Sequence, residues 1–403
     1  MLLRLFACLQ VYNFLFPIKF FFFPYFGFLF TLLGVFLGFF YNYLYDRNQL
    51  NSALLKNVFF VSLLLSIFSA FSILYNSSHD YVPLVQGMKF FWVFLSGYFI
   101  FYLLYFVYGD KVNMKIIGLL VYFGALVALT CILEFISNDF KVFLDFLIDT
   151  SGNIDYAESF RSHGLASSGG AALSLCMALV FILSLTKVCR EELGKITPLL
   201  SLVIFISTLF IGRSGLLLCV VAIAIFLTIK FSYFIKFVSL FLFFLAVFLI
   251  FSPLSEEELN IIYSYSFEPV KNFNETGSIR TKTSDHLGTM FFIPNFENII
   301  FGGGYWRYPI YPYFLSDVGY LKVLLGFGLI GFLVFYFFSL FIYFKAFFYY
   351  SFKFGDRRLY LLLFFSLFLF EVKEAFLIQN YAFKVLVLLV ISSVICKKKE
   401  VRL

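Results

Sequence analysis

The stretch FISTLFIGRSGLLLCVVAIAI, residues 205–225, is apolar except at its middle, where Gly212, Arg213, Ser214 and Gly215 stand together. Two further arginines keep similar company: Arg161 in SFRSHGLASSGG and Arg280 in TGSIRTKTSDH. Arginine suits phosphate, because its planar guanidinium donates paired hydrogen bonds and stays charged at any relevant pH. Small neighbours permit close approach of backbone and ligand, so three such arginines brought together would grip one anionic group. The competing reading for each is a side chain that snorkels to lipid headgroups or pairs with a loop carboxylate.

Other residues could act on a ligand held there. Asp317, in SDVGYLKVLL, is a carboxylate just before an apolar run. It serves as a general base if desolvation makes it basic enough, or orients hydroxyls of an acceptor. The alternative is helix N-capping by Ser316 or Asp317. His286, near Arg280, is the rival base. In FLFEVKEAFLIQNYAFK, Glu371 and Glu374 are three apart and share a helical face while Lys373 points elsewhere. Ionisable groups at such a depth line a cavity or pair with one another. Lys89, in QGMKFFWVF, is a weaker contact for a lipid diphosphate, and Lys19 reads as snorkelling. Tyr305, Trp306 and Tyr308 offer aromatic faces to a sugar, or form an interfacial belt.

The elements that must position these residues are membrane helices. The 403-residue chain is 62% hydrophobic and 23% aromatic, with a mean hydropathy of +0.95, which no soluble domain shows. The fold expected is an all-α polytopic integral membrane protein. Runs such as LLLFFSLFLF are apolar on every side, where barrel strands would alternate. The apolar runs are roughly 16 to 25 residues long, enough to cross a bilayer at about 1.5 Å per residue. About twelve spans are expected, near 2–18, 20–44, 55–75, 84–108, 116–137, 166–186, 197–211, 214–229, 234–252, 317–343, 358–376 and 380–396. They form a single membrane domain over 1–403.

Alternate connections carry the Lys and Arg residues: Arg47 and Lys56; Lys111 and Lys115; Lys187, Arg190 and Lys195; Lys230 and Lys236; Lys345, Lys353, Arg357 and Arg358; and the C-terminal Lys397 to Arg402. By the positive-inside rule these face the cytoplasm, and so do both termini. The net charge of +7 is mostly these rims and implies no nucleic acid. The first apolar run continues into PIKFFFFPYFG without a cleavage site and reads as a signal anchor. Six cysteines lie within or beside spans, so no disulfide framework is expected. The scattered histidines His79, His163 and His286 argue against a metal site. Two outer connections are long, 138–165 and 253–316, and the second has room for two helical stretches at most before YWRYP.

IGRSGLLLCVV, then a large outer loop with GSIRTKTSDH and IIFGGG, then SDVGYLKVLLGFGLIGFLVF, resembles in order and spacing the superfamily of O-antigen ligases and Wzy-type repeat-unit polymerases. The resemblance covers roughly residues 160 to 340 and rests on short, degenerate motifs taken as an ordered set. It implies a bacterial inner-membrane protein whose loops 138–165 and 253–316 are the smaller and the large periplasmic loops. It implies transfer of a glycan from an undecaprenyl diphosphate carrier to an acceptor hydroxyl at the periplasmic face, without metal or other cofactor. Arg213, Arg280 and Asp317 would be catalytic; Arg161, His286, Tyr320, Glu371, Lys373 and Lys89 would bind substrate. In ligases the position matching Asp317 holds His, which favours a polymerase and puts the identity of the base in doubt. A chain-length regulator protein is a further implied partner, beside the undecaprenyl-diphosphate-linked oligosaccharide and membrane lipid.

Three other activities compete. An O-antigen ligase is the closest. A lipid-linked oligosaccharide flippase would line a central path between paired halves, and no internal repeat is evident. A glycosyltransferase using lipid-phosphate sugars would need acidic residues in a first outer loop, and the connection around FPIKFFFF is too short to hold such a site.

Overall fold

The computed structural model describes residues 1–45, 52–149, 162–167, 169–229, 268–306, 317–378 and 380–400, with scattered positions between 230 and 267. Its helices are α1 (Leu2–Leu15), α2 (Phe26–Tyr45), α3 (Ser52–Tyr75), α4 (Val82–Tyr108), α5 (Val112–Ile136), α6 (Asn138–Leu147), α7 (Gly170–Leu185), α8 (Lys187–Leu193), α9 (Thr197–Ile211) and α10 (Arg213–Leu227). Then follow α11 (Glu268–Thr276), α12 (Lys282–Met290), α13 (Phe296–Phe301), α14 (Gly319–Phe354), α15 (Arg357–Phe370) and α16 (Tyr381–Glu400). No β-strand is present among the described residues.

Among the described residues, five helical stretches are long and apolar enough to cross a membrane: Phe26–Leu44, Ala53–Tyr75, Val82–Ile136, Lys187–Ile211 and Gly319–Phe354. Shorter apolar helices, α1, α7, α10 and Tyr381–Cys396 of α16, pack among them. The chain is thus an all-helical protein with the character of a multi-pass membrane protein. The expected span 234–252 and most of 253–267 lie outside the described residues. Where two helical stretches at most were expected in the large loop, its described residues hold three, α11 to α13. Thr281 explains one of them: it accepts from the Ser284 N–H while Ser284 returns a bond to the Thr281 backbone, a reciprocal cap that starts α12.

The centre of the bundle is α7 and α16. Every residue from Leu173 to Leu185 is buried, as is the run Val385 to Ile391, which fits helices apolar all round. Large apolar side chains on α2, α3 and the outer face of α14, such as Phe36, Phe60 and Phe337, are exposed and suit lipid contact. Close helix approach uses small residues: Gly124 of α5 faces Val180 of α7, and Gly97 of α4 faces Val387 and Ile391 of α16.

The helix ends sort into two rims. The described connections rich in Lys and Arg, around 111–115, 187–195 and 353–358, gather at one, hereafter the basic end, where Lys115 meets Glu192 and Arg190 meets Asp356. At the other, the loop end, hydrogen bonds chain the connections together. Lys19 N–H and Pro17 C=O both bond Ser167 Oγ, at 2.7 Å each. Ser162 N–H donates to Phe210 C=O, and Trp306 N–H to Asp80 Oδ2 at 2.7 Å.

One junction at the loop end explains IIFGGG. Within α14, Gly328 takes φ 67° and breaks the helix. The freed Leu325 carbonyl accepts instead from the N–H groups of Gly303 and Gly304, at 2.8 and 3.1 Å. A Cβ on Gly328 would stand 2.6 Å from Ile300 C=O, and one on Gly302, itself at φ +81°, 2.5 Å from Ser72 Oγ. Asn76 and Ser78, just past α3, bond the carbonyls of Gly302 and Gly304 at 2.9 and 2.8 Å. The glycines therefore fit loop backbone into helix backbone, and so fix where Trp306 stands.

Candidate functional site

Trp306 walls a loop-end cavity of about 240 Å³. Val82 and Gln86 of α4 line it, with Lys322 of α14 and Glu374, Ala375, Ile378 and Asn380 from the segment joining α15 to α16. The Trp306 ring is held against Gly326 of α14 and lies 5.9 Å from the Phe327 ring. Pro83 flanks the same glycine.

The polar groups around this space are one cation, one carboxylate and two amides. Lys322 is buried and donates to Asp317 Oδ1 at 2.9 Å, while the Asp317 side chain is 63% exposed. Asp317 therefore lies outside the cavity lining, tied to it through Lys322. It does not cap α14: the N-cap is Val318, without a side-chain bond. Gln86 is buried, and among the described residues its Oε1 accepts no hydrogen bond. A buried acceptor left open beside a cavity is a place for a ligand hydroxyl or amine. Asn380 Oδ1 accepts the Phe383 N–H at 2.9 Å and starts α16.

Glu371 and Tyr320 support the wall. Helix α15 stops at Phe370, so Glu371 and Glu374 do not share a helical face as expected. They occupy a compact turn in which only Glu374 lines the cavity. Glu371 is wholly buried, accepting from Leu377 N–H at 2.6 Å and from Tyr336 OH at 3.0 Å. Its backbone carbonyl accepts the Gly319 N–H at 2.8 Å. A Cβ at position 319 would stand 2.7 Å from the Ala375 backbone, so glycine lets α14 begin against this turn. Tyr320 OH donates to Phe368 C=O at 2.5 Å and braces α15 from the other side.

The same turn reaches the Arg213 hairpin. Lys373 Nζ donates to Ser214 Oγ at 2.9 Å. Gly212 is the single residue between α9 and α10, and Gly215 allows α10 to lie on α7, where its N–H donates to Ser174 Oγ at 2.8 Å. Ser174 in turn donates to the Gly212 carbonyl. Arg213 forms an ion pair with Glu268 at the start of α11, both side chains largely covered. The arginine is thus held at the loop end beside the turn that builds the cavity wall.

No protein family, curated relative or solved structure matches this chain. The geometry must therefore carry the functional reading.

The remaining residues singled out by sequence are dispersed. Arg280 is exposed in the turn between α11 and α12, its carbonyl accepting from Asn272 Nδ2 at 2.5 Å. It has no ion-pair partner among the described residues, and its guanidinium makes no described contact with Arg213. His286 lies on α12, and its side chain is outside the described residues, as is all of Arg161. Lys89 is exposed on α4 beside the charge of Lys19. Sequence reasoning missed Gln86, Lys322 and Asn380. A usable signal existed for Lys322, a lysine five residues after Asp317 inside an apolar run. None marked Gln86, whose role comes from the missing partner.

Proposed function

We propose that this protein is a polymerase of O-antigen or a related surface polysaccharide. It joins lipid-linked repeat units at the periplasmic face of a bacterial inner membrane, both of its termini lying in the cytoplasm. The observation that carries the reading is the loop-end cavity, where a tryptophan face, two amides, a carboxylate and a buried lysine surround a space of sugar-like polarity. Aromatic faces and amide or carboxylate acceptors are what sugar rings and their hydroxyls need. The resemblance of the ordered motifs, all of which border this end of the bundle, supports the same activity.

In the reaction the acceptor sugar hydroxyl attacks the anomeric carbon of the donor. The bond from that carbon to the diphosphate oxygen breaks, undecaprenyl diphosphate leaves with the electron pair, and the hydroxyl proton passes to a carboxylate. Attack opposite the leaving group inverts the configuration. Asp317 is the first candidate for that carboxylate and Glu374, inside the cavity, the second. Arg213 would stabilise the departing diphosphate once Glu268 yields it. The donor is already activated, so positioning two substrates and neutralising the leaving group supply most of the acceleration.

The test uses purified protein and lipid-linked repeat units, with product length read on a gel. Asp317→Asn keeps the side chain's size and removes its charge and basicity, so it is expected to abolish the ladder while the protein still elutes as folded. Trp306→Ala is expected to raise the substrate concentration needed for half-rate. Full-length polymer from the double variant would overturn the proposal. In a host lacking the gene, single repeats on lipid A core would support a polymerase, and the absence of any attached polymer a ligase.

A further inference from the structure

A second cavity at the loop end borders α4 further along the helix, at Trp92, Val93 and Ser96. It holds about 430 Å³ and is lined by Lys19, Tyr25, Phe28, Trp92 and Lys384, with Asp149 at its edge. Lys384 sits in the first turn of α16, its ammonium 5.6 Å from the centre of the Phe14 ring and 5.8 Å from that of Tyr381. Among the described residues no carboxylate lies within ion-pair distance of it. Lys89 is three, four and seven residues before Trp92, Val93 and Ser96, all of which line this cavity, and so lies on the same face of α4. The charges of Lys89 and Lys19 are close enough to repel each other. Two cations, Lys19 and Lys384, therefore line one largely apolar space together with one carboxylate, Asp149, and Lys89 stands exposed nearby on α4. The Asp149 N–H donates to the Lys19 carbonyl at 2.8 Å.

The cavity also has a readable depth. The connection from α1 to α2 exposes Phe21, Phe22, Phe23 and Tyr25, and α6 exposes Val142, Phe143 and Phe146. These two segments are one cap: Phe21 N–H donates to Leu147 C=O at 3.1 Å, and the Phe22 and Phe146 rings lie 5.5 Å apart. A short amphipathic helix with an exposed aromatic face, beside a loop tipped with phenylalanine, lies in the membrane interface. That is the level at which lipid phosphates sit and at which Trp and Tyr gather.

We infer that the Lys19–Lys384 cavity binds the phosphate or diphosphate of a membrane lipid, with the hydrocarbon chain lying along the exposed phenylalanines outside. A lysine in a largely apolar wall, with no carboxylate at ion-pair distance among the described residues, is stabilised by an anion from elsewhere. The cation–π contacts with Phe14 and Tyr381 hold its ammonium in place but leave its three donors for a phosphate. The inference is independent of glycan transfer, since a protein that joins no sugars would bind the same headgroup.

Trp92 reports on this cavity, and Trp306→Phe makes it the sole tryptophan. The full chain in detergent is titrated with phosphatidylglycerol carrying brominated chains, and quenching of Trp92 is followed. Brominated phosphatidylcholine and inorganic phosphate serve as controls, and undecaprenyl diphosphate as competitor. Phosphatidylglycerol is expected to quench at concentrations about tenfold or more below phosphatidylcholine, and Lys384→Gln to remove that difference while Lys384→Arg keeps it. Lys19→Gln, in a connection rather than a helix, provides the same test if Lys384→Gln does not fold. Displacement by substoichiometric undecaprenyl diphosphate would identify the carrier as ligand, and displacement only at parity with phosphatidylglycerol would identify anionic lipid in general. Equal quenching by phosphatidylcholine, an unchanged preference in both lysine variants, or equal affinity for inorganic phosphate would overturn the inference.

Discussion

The two ends of the bundle use the same residue types differently. At the basic end cations meet protein partners: Lys115 with Glu192 at 2.5 Å, Arg190 with Asp356 at 3.9 Å, Arg358 with Thr228 Oγ1 at 2.7 Å and Lys353 with Tyr349 OH at 2.9 Å. At the loop end Lys322, Arg213 and Lys373 also have protein partners, Asp317, Glu268 and Ser214, but Lys19 and Lys384 border a cavity with no ion pair among the described residues. Glycines divide in much the same way, apart from Gly277 after α11, where a Cβ would also meet nothing within 4 Å. Gly109, Gly194 and Gly355 end helices at the basic end with positive φ, and a Cβ there would meet nothing within 4 Å. At the loop end Gly302, Gly304 and Gly328 combine positive φ with contacts to neighbouring backbone. One rim closes helices; the other interrupts them, at Gly328 and after Phe370, to build surfaces. Charge left for a ligand and backbone fitted to backbone together mark the working end.

The largest expected effect therefore separates two glycines. Gly328→Ala meets both an unfavourable φ and the Ile300 carbonyl, a cost of about 2 kcal/mol or more, and it loosens the loop that seats Trp306. Polymer formation should fall to background, with increased protease cutting near residues 300–306. Gly194→Ala carries the backbone strain alone, so the melting temperature should drop while polymer length stays normal. Equal loss of activity from both would erase the distinction between the ends.

Arg213 comes next. Two roles are open to it: holding α11 through Glu268, and receiving a diphosphate. If it only holds α11, Glu268→Gln and Arg213→Ala should impair polymer formation equally. If it binds the diphosphate, Arg213→Ala should abolish polymer at normal abundance, Arg213→Lys should rescue poorly for want of a paired fork, and Glu268→Gln should keep activity. The expected result is the second pattern. Matching losses from the two alanine or amide variants would return Arg213 to a scaffold role.

Much of this arrangement was legible in the sequence. The runs read as spans 55–75 and 84–108 are α3 and α4 almost residue for residue, because uninterrupted apolar stretches between charged clusters leave the helix few alternatives. The sorting of Lys and Arg connections to one rim also follows from charge alone. The break after Phe370 was not legible: FLFEVKEAFLIQNYAF contains neither glycine nor proline, and the turn is held by Glu371 bonding Leu377 and Tyr336, a tertiary arrangement. The 430 Å³ cavity was hidden for a related reason. Its walls come from the connection around FPIKFFFF, judged too short for a site, and from helices α1, α2, α4 and α16, which no local pattern brings together.

The smallest expected effect tests whether the basic end is only a rim. The Lys115–Glu192 pair is short, but the lysine side chain is 38% exposed, and water screens what the geometry offers. Ion pairs of this kind contribute about 1 kcal/mol or less. Lys115→Met should therefore shift the melting temperature by little and leave polymer length unchanged. The packing beneath it explains why: Gly118, one turn on from Lys115, lies against the Glu192 side chain, so α5 and α8 stay in contact without the charge. Glu192→Gln keeps that contact and should matter even less. If either change altered polymer length while the fold melted normally, the basic end would also bear on function, through a partner on that side, and the division between a closed rim and a working end would fail.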